Sequence, residues 1–373
     1  MLRREKLLEV AGWLVCTSFA LTAARAGEWQ TAPPRSLGVD PEPLQRLGEA
    51  IRRGEYPKTT SVLVVYRDRL IFEGYVADGG AEVLNDTRSA TKSITALAVG
   101  AAIHDGKIAS VRAPAWQFLA DLAPFRNDSP LKREITVEDF LTMSSALDCN
   151  DDVDASPGNE ERMYVEQRWT RWAVDLPTKP EYLRDAAGRG PFSYCTAGAF
   201  LLGQIIERAA RTPVDQYIEQ RIFRPLGISK WEWPRSPSGE VMTGGGLRLR
   251  SRDLAKIAWM LVNDGRWAGQ NVVPAAWVRA AMSAQRRANA EQDYGYLFWQ
   301  RTYATKCGAI SGWYMSGNGG NAVLVLKDLD AAVVVSRKNY NTRGMHQQTV
   351  NLLEQYVLPT LPCSSPARAL EHK

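Results

Sequence analysis

The pattern of apolar and polar positions places the clearest strand signals, apolar runs bounded by polar turns, near the two ends of the chain. Residues 61–66 and 70–76 are β-branched or aromatic runs joined by the polar residues 67–69, which predicts a β-hairpin. Residues 322–326 and 331–335 repeat this pattern around a second polar turn. We expect the two hairpins to pair in one antiparallel sheet.

Helical spacing dominates the rest of the chain. The segments predicted as helices are 41–53, 89–105, 137–143, 198–211, a segment capped by Ser251, and about 346–357. The first and last of these are expected to cover the sheet. The pattern therefore predicts an α+β fold, in which residues 27–106 and 290–373 form an α/β lobe and residues 107–289 form a mainly helical second lobe. A ligand is expected in the cleft between the lobes.

The first 26 residues have a separate character. Basic residues at positions 3, 4 and 6 precede an apolar run from Val10 to Thr22, which is followed by Ala24-Arg25-Ala26. This order is typical of a secretory signal peptide cleaved before Gly27, and it predicts a periplasmic or secreted protein. The alternative is a buried N-terminal helix. The run is short for a membrane span, so no stable span is expected once the signal is removed.

Composition and charge exclude several classes of function. The chain of 373 residues is 45% hydrophobic and 23% charged, which is ordinary for a soluble globular protein. Removing residues 1–26 takes away four basic and two acidic residues, so the formal charge falls from +5 to +3. A net charge this small is not typical of a nucleic-acid-binding protein, so we expect no nucleic-acid partner.

The candidate chemistry starts at Ser89, which opens a helical pattern and is followed three residues later by Lys92. Side chains at i and i+3 share one face of a helix, so the amine is expected to reach the hydroxyl. A hydroxyl at a helix N-terminus also lies beside free backbone N–H groups. Together these features describe a nucleophile with its own base. Ser129 and Lys132 repeat the spacing, but in a polar stretch that we interpret as a loop.

The chain contains three histidines, and no Gly-x-Ser-x-Gly, His-Glu-x-x-His or Cys-x-x-Cys motif. This disfavours a Ser-His-Asp hydrolase, a zinc protease or a zinc ribbon. A serine nucleophile without histidine needs another proton acceptor, which a lysine with a neighbouring tyrosine can provide. Tyr194, just before the helix that starts near Gly198, is the candidate. The alternative is a core tyrosine whose hydroxyl is satisfied by hydrogen bonds.

Three motifs carry a family resemblance: Ser89-Ala90-Thr91-Lys92, Phe192-Ser193-Tyr194-Cys195-Thr196 and Gly317-Asn318-Gly319-Gly320. In order and spacing they resemble the serine β-lactamase/penicillin-binding-protein superfamily, in its class C β-lactamase-like branch. That branch also holds family VIII-type esterases, D-aminopeptidases and 6-aminohexanoate-dimer hydrolases. The resemblance covers roughly residues 28–358.

The resemblance implies a β-lactamase/transpeptidase-like fold and acyl transfer to serine followed by hydrolysis, without metal or organic cofactor. It implies that Ser89 is the nucleophile and that Lys92 and Tyr194 are the acid/base pair. The N–H of Ser89 and one near Gly320-Asn321 would form the oxyanion hole. The implied partner is a small ester or amide.

Two positions depart from the pattern of the superfamily. Thr196 stands where the second motif usually has Asn, and Asn318 stands where the third usually has Lys or His. The missing cation argues against a dedicated β-lactamase, although Arg189 or Arg337 are candidates to replace it. The departures also motivate an alternative function, a catalytically silent protein that binds peptidoglycan fragments or acyl compounds.

Two further predictions concern the surroundings of the site. Trp313, close to the third motif, is expected to border the cleft and to contact substrate, as Thr196 and Asn318 are. Of the twelve tryptophans, Trp169, Trp172, Trp231, Trp233 and Trp299 are further candidates for an apolar pocket. Four cysteines follow residue 26, and we hypothesise a disulfide between Cys149 and Cys195 because both flank the proposed site.

Overall fold

The computed structural model describes residues 28–363 of the chain. The predicted signal peptide, residues 1–26, lies outside the described residues. In the part of the chain that is described, no helix has the length and apolar character needed to cross a membrane.

The strands of the described residues belong to one large sheet and two small ribbons. Their bounds in chain order are β1 (Thr59–Tyr66), β2 (Arg69–Tyr75), β3 (Leu84–Asp86), β4 (Arg248–Arg250), β5 (Arg266–Trp267), β6 (Gln270–Asn271), β7 (Arg286–Arg287), β8 (Gln292–Tyr294), β9 (Trp299–Thr305), β10 (Gly308–Gly317), β11 (Asn321–Leu326) and β12 (Ala331–Arg337).

The large sheet has eight antiparallel strands in the order β2-β1-β12-β11-β10-β9-β8-β7. The two predicted hairpins are present as β1–β2 and β11–β12, and they join through β1 and β12, where Val62 lies opposite Val335. The prediction of one sheet built from both ends of the chain is confirmed. The sequence analysis missed strands β7 to β10, which extend this sheet by half its width.

The α-helices of the described residues are α1 (Glu42–Arg52), α2 (Thr91–His104), α3 (Pro130–Arg133), α4 (Val137–Leu141), α5 (Glu160–Tyr164), α6 (Trp169–Val174), α7 (Thr196–Ala210), α8 (Val214–Ile218), α9 (Ser251–Val262), α10 (Ala275–Ala281) and α11 (Met345–Leu352). Helix α11 continues as a π-helical turn, Leu353–Val357.

Strand β1 shows how the layers are arranged, because every residue of it is buried. Leu63 and Val65 join a core formed with the helical residues of the middle of the chain. Val62 and Val64 point the other way, into a core shared with α1 and the C-terminal helix. Side chains that alternate between the two faces of a strand require cover on both sides. This confirms the α+β class and the cover by the first and last helices; the lobe boundaries stay a prediction.

Two local predictions are wrong. Residues 130–133 form one helical turn, which the Ser129 hydroxyl caps by accepting the N–H of Lys132 at 3.1 Å. Ser251 does not cap α9; it is the first residue of that helix. Its hydroxyl is instead 2.6 Å from that of Ser61 on β1, so it joins the helix to the sheet.

Candidate active site

The segment before α2 presents Ser89 at the entrance of a buried helix. Ser89 lies in a 3-10 turn, Arg88–Ala90, and α2 follows directly from Thr91. Arg88 adopts a φ of 49°, in the left-handed region that non-glycine residues rarely occupy. Every residue of α2 from Thr91 to Ala102 is buried, so the helix is held on all sides. The hydroxyl is thus fixed at the positive end of a rigid helix.

Lys92 is 1% exposed and its amine is directed at Ser89. Its Nζ donates to Ser89 Oγ at 2.9 Å and to the carbonyl oxygen of Gly244 at 2.6 Å. The spacing of three residues predicted the first contact. The carbonyl partner was missed, although the run Gly244-Gly245-Gly246 was a visible signal. A Cβ on Gly244 would lie 2.7 Å from the side chain of Thr196, so this close approach needs glycine.

The third predicted catalytic group, Tyr194, lies on the other side of the amine. Lys92 Nζ is 5.0 Å from the centroid of the Tyr194 ring, which packs against Trp299 at 5.8 Å between centroids. Burial raises the pKa of the Tyr194 phenol, while the charge of Lys92 and a side-chain hydrogen bond with Ser89 oppose this rise. The phenol therefore stays protonated at neutral pH. The structure brings Ser89, Lys92 and Tyr194 together from two distant segments.

The end of strand β10 forms the wall opposite α2. A Cβ on Gly317 would lie 2.2 Å from the carbonyl oxygen of Thr87, so the strand touches the turn that carries Ser89. The predicted oxyanion segment, Gly320-Asn321, follows at the start of β11, and both residues line the same cavity as Ser89. The carbonyl oxygen of Gly320 accepts a hydrogen bond from Thr349 Oγ1 at 2.7 Å, which fixes the turn.

These elements enclose a cavity of about 580 Å³. One wall is acidic and is formed by Asp151, Asp152, Asp154, Glu160 and Glu161; we call this the acidic wall. Aromatic residues, Trp299, Tyr303 and Tyr314, also line the cavity, as does Arg301, which is paired with Glu291. Within residues 28–363, no three His, Cys, Asp or Glu side chains are grouped so as to hold a metal ion.

Two predicted contact residues do not line this cavity. Thr196 is fully buried, and its N–H donates to the carboxylate of Asp151 at 2.7 Å. Trp313 packs against the core, and Trp299 is the tryptophan that lines the cavity. Side chains alternate between the two faces of β10. Tyr314 and Ser316 therefore point to the opposite face from Trp313, and both of them line the cavity.

Asn318 does line the cavity, but its side chain is engaged elsewhere. It donates to the side chain of Asn341 and accepts the N–H of the same residue at 2.9 Å. The two arginines considered as substitutes for a cation do not line the cavity. Arg337 is 1% exposed and donates to the carbonyl oxygen of Pro57, and Arg189 donates to Gln285.

Asp151 is a residue of the cavity wall that the sequence analysis missed, and its N–H donates to the carbonyl oxygen of Tyr194. Burial raises the pKa of its carboxyl to about 6, and the positive charge of Lys92 opposes the rise. The signal in the sequence was the acidic run Asp151-Asp152-Val153-Asp154, two residues after Cys149.

The described residues contain two disulfides, of which one was predicted. Cys149 and Cys195 are joined, as hypothesised, with their Cα atoms 5.4 Å apart. The bond ties the segment that carries Asp151 to the one that carries Tyr194. A second disulfide joins Cys307 to Cys363.

A serine and a buried lysine at the start of a core helix, with a tyrosine and the end of a sheet strand beside them, define the β-lactamase/transpeptidase class of fold. The sequence matches the Beta-lactamase family over residues 56–356, and the chain belongs to that family. This confirms the resemblance that the three motifs indicated.

Among curated relatives, the chain is 25% identical over 290 residues to the 6-aminohexanoate-dimer hydrolase of Paenarthrobacter ureafaciens, covering 73% of this chain and 68% of the relative. Among solved structures, a D-stereospecific amidohydrolase from Streptomyces sp. matches with a TM-score of 0.64 at 18% identity, covering 84% of this chain and 98% of that one. A family VIII carboxylesterase matches with a TM-score of 0.64 at 13% identity, covering 87% and 98%. At these identities the structures support the fold.

Proposed function

We propose that the protein is a serine hydrolase that cleaves a small ester or amide through an acyl-enzyme. The observation that carries the proposal is the amine of Lys92, held 2.9 Å from Ser89 Oγ at the end of an open cavity. A buried base in contact with a partly exposed hydroxyl is the arrangement that activates a serine nucleophile.

In the proposed reaction, Ser89 Oγ attacks the carbonyl carbon of the substrate and gives its proton to the amine of Lys92, which is unprotonated in the reacting form and lies beside the Tyr194 phenol. The C–O or C–N bond then breaks, and the Lys92/Tyr194 pair returns a proton to the leaving alcohol or amine. Water attacks the acyl-enzyme in the same way and releases the acid. Because the phenol of Tyr194 is neutral, its assigned role is to relay protons between Lys92 and the leaving group.

The negative oxygen of the tetrahedral intermediate needs fixed donors. We assign this role to the N–H of Ser89 and to one N–H of the Gly320-Asn321 segment. Each such donor typically contributes about 3–4 kcal/mol to the stability of the transition state. The contact between Gly317 and the turn ahead of Ser89 supports the assignment, because it brings the two segments together.

The charge of the cavity bears on the substrate. The acidic wall lies beside Ser89, while the arginines at positions 189 and 337 point elsewhere. A β-lactam carries a carboxylate that this wall would repel, so esters and linear amides suit the site better. Substrates with a positively charged amine suit it best.

The two disulfides support the proposal that the protein is exported from the cytoplasm. Disulfides form and persist in oxidising compartments, and both bonds of the described residues link distant segments. We therefore propose that the protein works in the periplasm or outside the cell.

The direct test replaces Ser89 with Ala and measures turnover of p-nitrophenyl butyrate together with labelling by a fluorophosphonate probe. We expect loss of both turnover and labelling, because no other residue takes the acyl group. The matched control is Ser129→Ala, which changes the serine of the second Ser-x-x-Lys sequence in a helical cap.

The result that would defeat the proposal is unchanged turnover in Ser89→Ala. If the natural protein neither labels nor turns over any ester or amide, the alternative function, a silent binder of acyl compounds, takes its place.

A further inference from the structure

A single carboxylate, that of Asp151, joins three parts of the site. Its Oδ2 accepts the N–H of Thr196, the first residue of α7, at 2.7 Å. Its Oδ1 accepts the N–H of Glu160, the first residue of α5, at 3.0 Å. The N–H of Asp151 in turn donates to the carbonyl oxygen of Tyr194 at 2.9 Å. The residue therefore fixes the backbone at the candidate acid/base tyrosine and two residues after it.

The position of Asp151 compensates for the threonine at position 196, where the second motif usually has Asn. Thr196 stands where an amide is usual, and its side chain is too short to replace that amide. Asp151 binds the backbone of Thr196 instead, and the charge of Lys92 acts on its carboxylate. The disulfide between Cys149 and Cys195 holds the segment of Asp151 next to the segment of Thr196.

We propose that Asp151 is a positioning residue for the reaction: its N–H holds the backbone of Tyr194, and its carboxylate holds the start of α7, so that the tyrosine stays against Ser89. This inference rests on the proposed function, because positioning matters only if Ser89 is the nucleophile. Small displacements of such groups are costly, since a misplacement of about 1 Å lowers a rate by about 10²-fold.

The charged and titratable groups around this carboxylate come from three elements. Lys92 faces it from α2, Glu160 and Tyr164 from α5, and Tyr194 from the segment before α7. Burial raises the pKa of Asp151 to about 6; Glu160 adds to the rise, and Lys92 and the hydrogen bonds of Thr196 oppose it. The carboxylate therefore forms as pH rises through about 6, and activity that depends on it rises in the same interval.

The test compares kcat and KM for p-nitrophenyl butyrate between pH 4.5 and 8.5 in the natural protein, Asp151→Asn, Asp151→Glu and Asp148→Asn. Asp148→Asn is the matched control: Asp148 lies in the same loop as Asp151, but its carboxylate does not line the cavity. In the natural protein we expect kcat to fall as pH drops through about 6.

In Asp151→Asn we expect a kcat lower by about 10²-fold with KM little changed, and no fall near pH 6, because an amide does not titrate. Asp151→Glu should keep a pH-dependent fall and recover part of the rate. Asp148→Asn should behave like the natural protein.

The inference is overturned if Asp151→Asn, shown to be folded by its melting temperature, keeps both its kcat and the fall near pH 6. Should that variant not fold, the natural protein decides: a kcat that stays constant as pH drops through about 6 would contradict the assignment. Labelling by the fluorophosphonate distinguishes failure of the proposed function from failure of this inference. If Ser89 in the natural protein is not labelled, the proposed function fails; if it is labelled and the Asp151 variants are unaffected, only this inference fails.

Discussion

Lys92 and Lys132 show how much the surroundings of one residue decide. Both are buried lysines three positions after a serine, and each donates to a backbone carbonyl, Lys92 to Gly244 and Lys132 to Val174 at 2.9 Å. Only Lys92 also reaches its serine hydroxyl. The Ser129 hydroxyl is used as a helix cap, so the same four-residue spacing gives a serine–lysine side-chain contact in one place and a structural turn in the other.

At the same scale, we predict that Tyr194→Phe lowers kcat/KM by about 10²- to 10⁴-fold, the usual contribution of a positioned acid or base. The ring would still pack on Trp299, so the melting temperature should change little. Both quantities can be measured with p-nitrophenyl butyrate and by thermal unfolding.

The control is Tyr294→Phe. Tyr294 also packs on Trp299, at 4.8 Å, and its buried hydroxyl has no hydrogen-bond partner among the described residues. Its loss should leave activity unchanged. Equal rates in the Tyr194→Phe variant and the natural protein would remove Tyr194 from the mechanism.

At the scale of elements, the site depends on how two segments are fastened. The loop after α4 carries Asp151, and the segment before α7 carries Tyr194. The disulfide between Cys149 and Cys195 and the hydrogen bond from Asp151 N–H to Tyr194 O join the two. Helix α2 needs no such fastening, because it is buried along almost its whole length.

We predict that replacing Cys149 and Cys195 with Ser lowers both stability and kcat. A cross-link across 46 residues restricts the unfolded chain and so raises the free energy of unfolding by about 4 kcal/mol. Its loss also frees the segments that carry Asp151 and Tyr194. Urea unfolding gives the first quantity, and kcat measured well below the melting temperature gives the second.

Replacing Cys307 and Cys363 with Ser is the matched control, because that disulfide spans 56 residues, a similar length, and neither of the segments it joins carries Asp151 or Tyr194. It should cost a similar free energy of unfolding while kcat is kept. Equal kcat in both double variants would show that the first disulfide does not position the site.

At the scale of the whole molecule, the charge of the cavity differs from that of the chain. The sequence carries a formal charge of +5, yet the wall beside Ser89 is formed by five carboxylate residues. Charge lining a cleft acts on a substrate more strongly than net charge does, because the low-dielectric walls focus its field.

We therefore predict a preference among p-nitrophenyl esters of equal length. The 6-aminohexanoate ester, which carries an ammonium group, should have a kcat/KM about tenfold above that of the adipate monoester, which carries a carboxylate, with the neutral hexanoate ester between them. The ratio should shrink as salt rises toward 1 M, since ions screen these charges. A preference for the carboxylate ester, or a ratio independent of salt, would contradict the role of the acidic wall.

The sequence could predict the parts of the site that depend on neighbours along the chain. The spacing of Ser89 and Lys92 fixes their contact, because residues at i and i+3 share a helix face. Continuous runs of β-branched and aromatic residues predicted both hairpins for the same kind of reason. Strands β9 and β10 escaped because polar residues and glycines, such as Gly312 against the ring of Tyr303, interrupt such a run.

The sequence by itself determined the class of fold, the covering helices and the local contact between the Ser89 hydroxyl and the Lys92 amine, all through short-range periodicity and motif order. Only the tertiary structure decided that Gly244 accepts from Lys92, that Trp299 lines the cavity in place of Trp313, and that Asp151 braces Tyr194. These contacts join residues that lie tens to more than a hundred positions apart. No local pattern encodes them, because they arise from how the packed helices and the sheet bring distant loops to one wall.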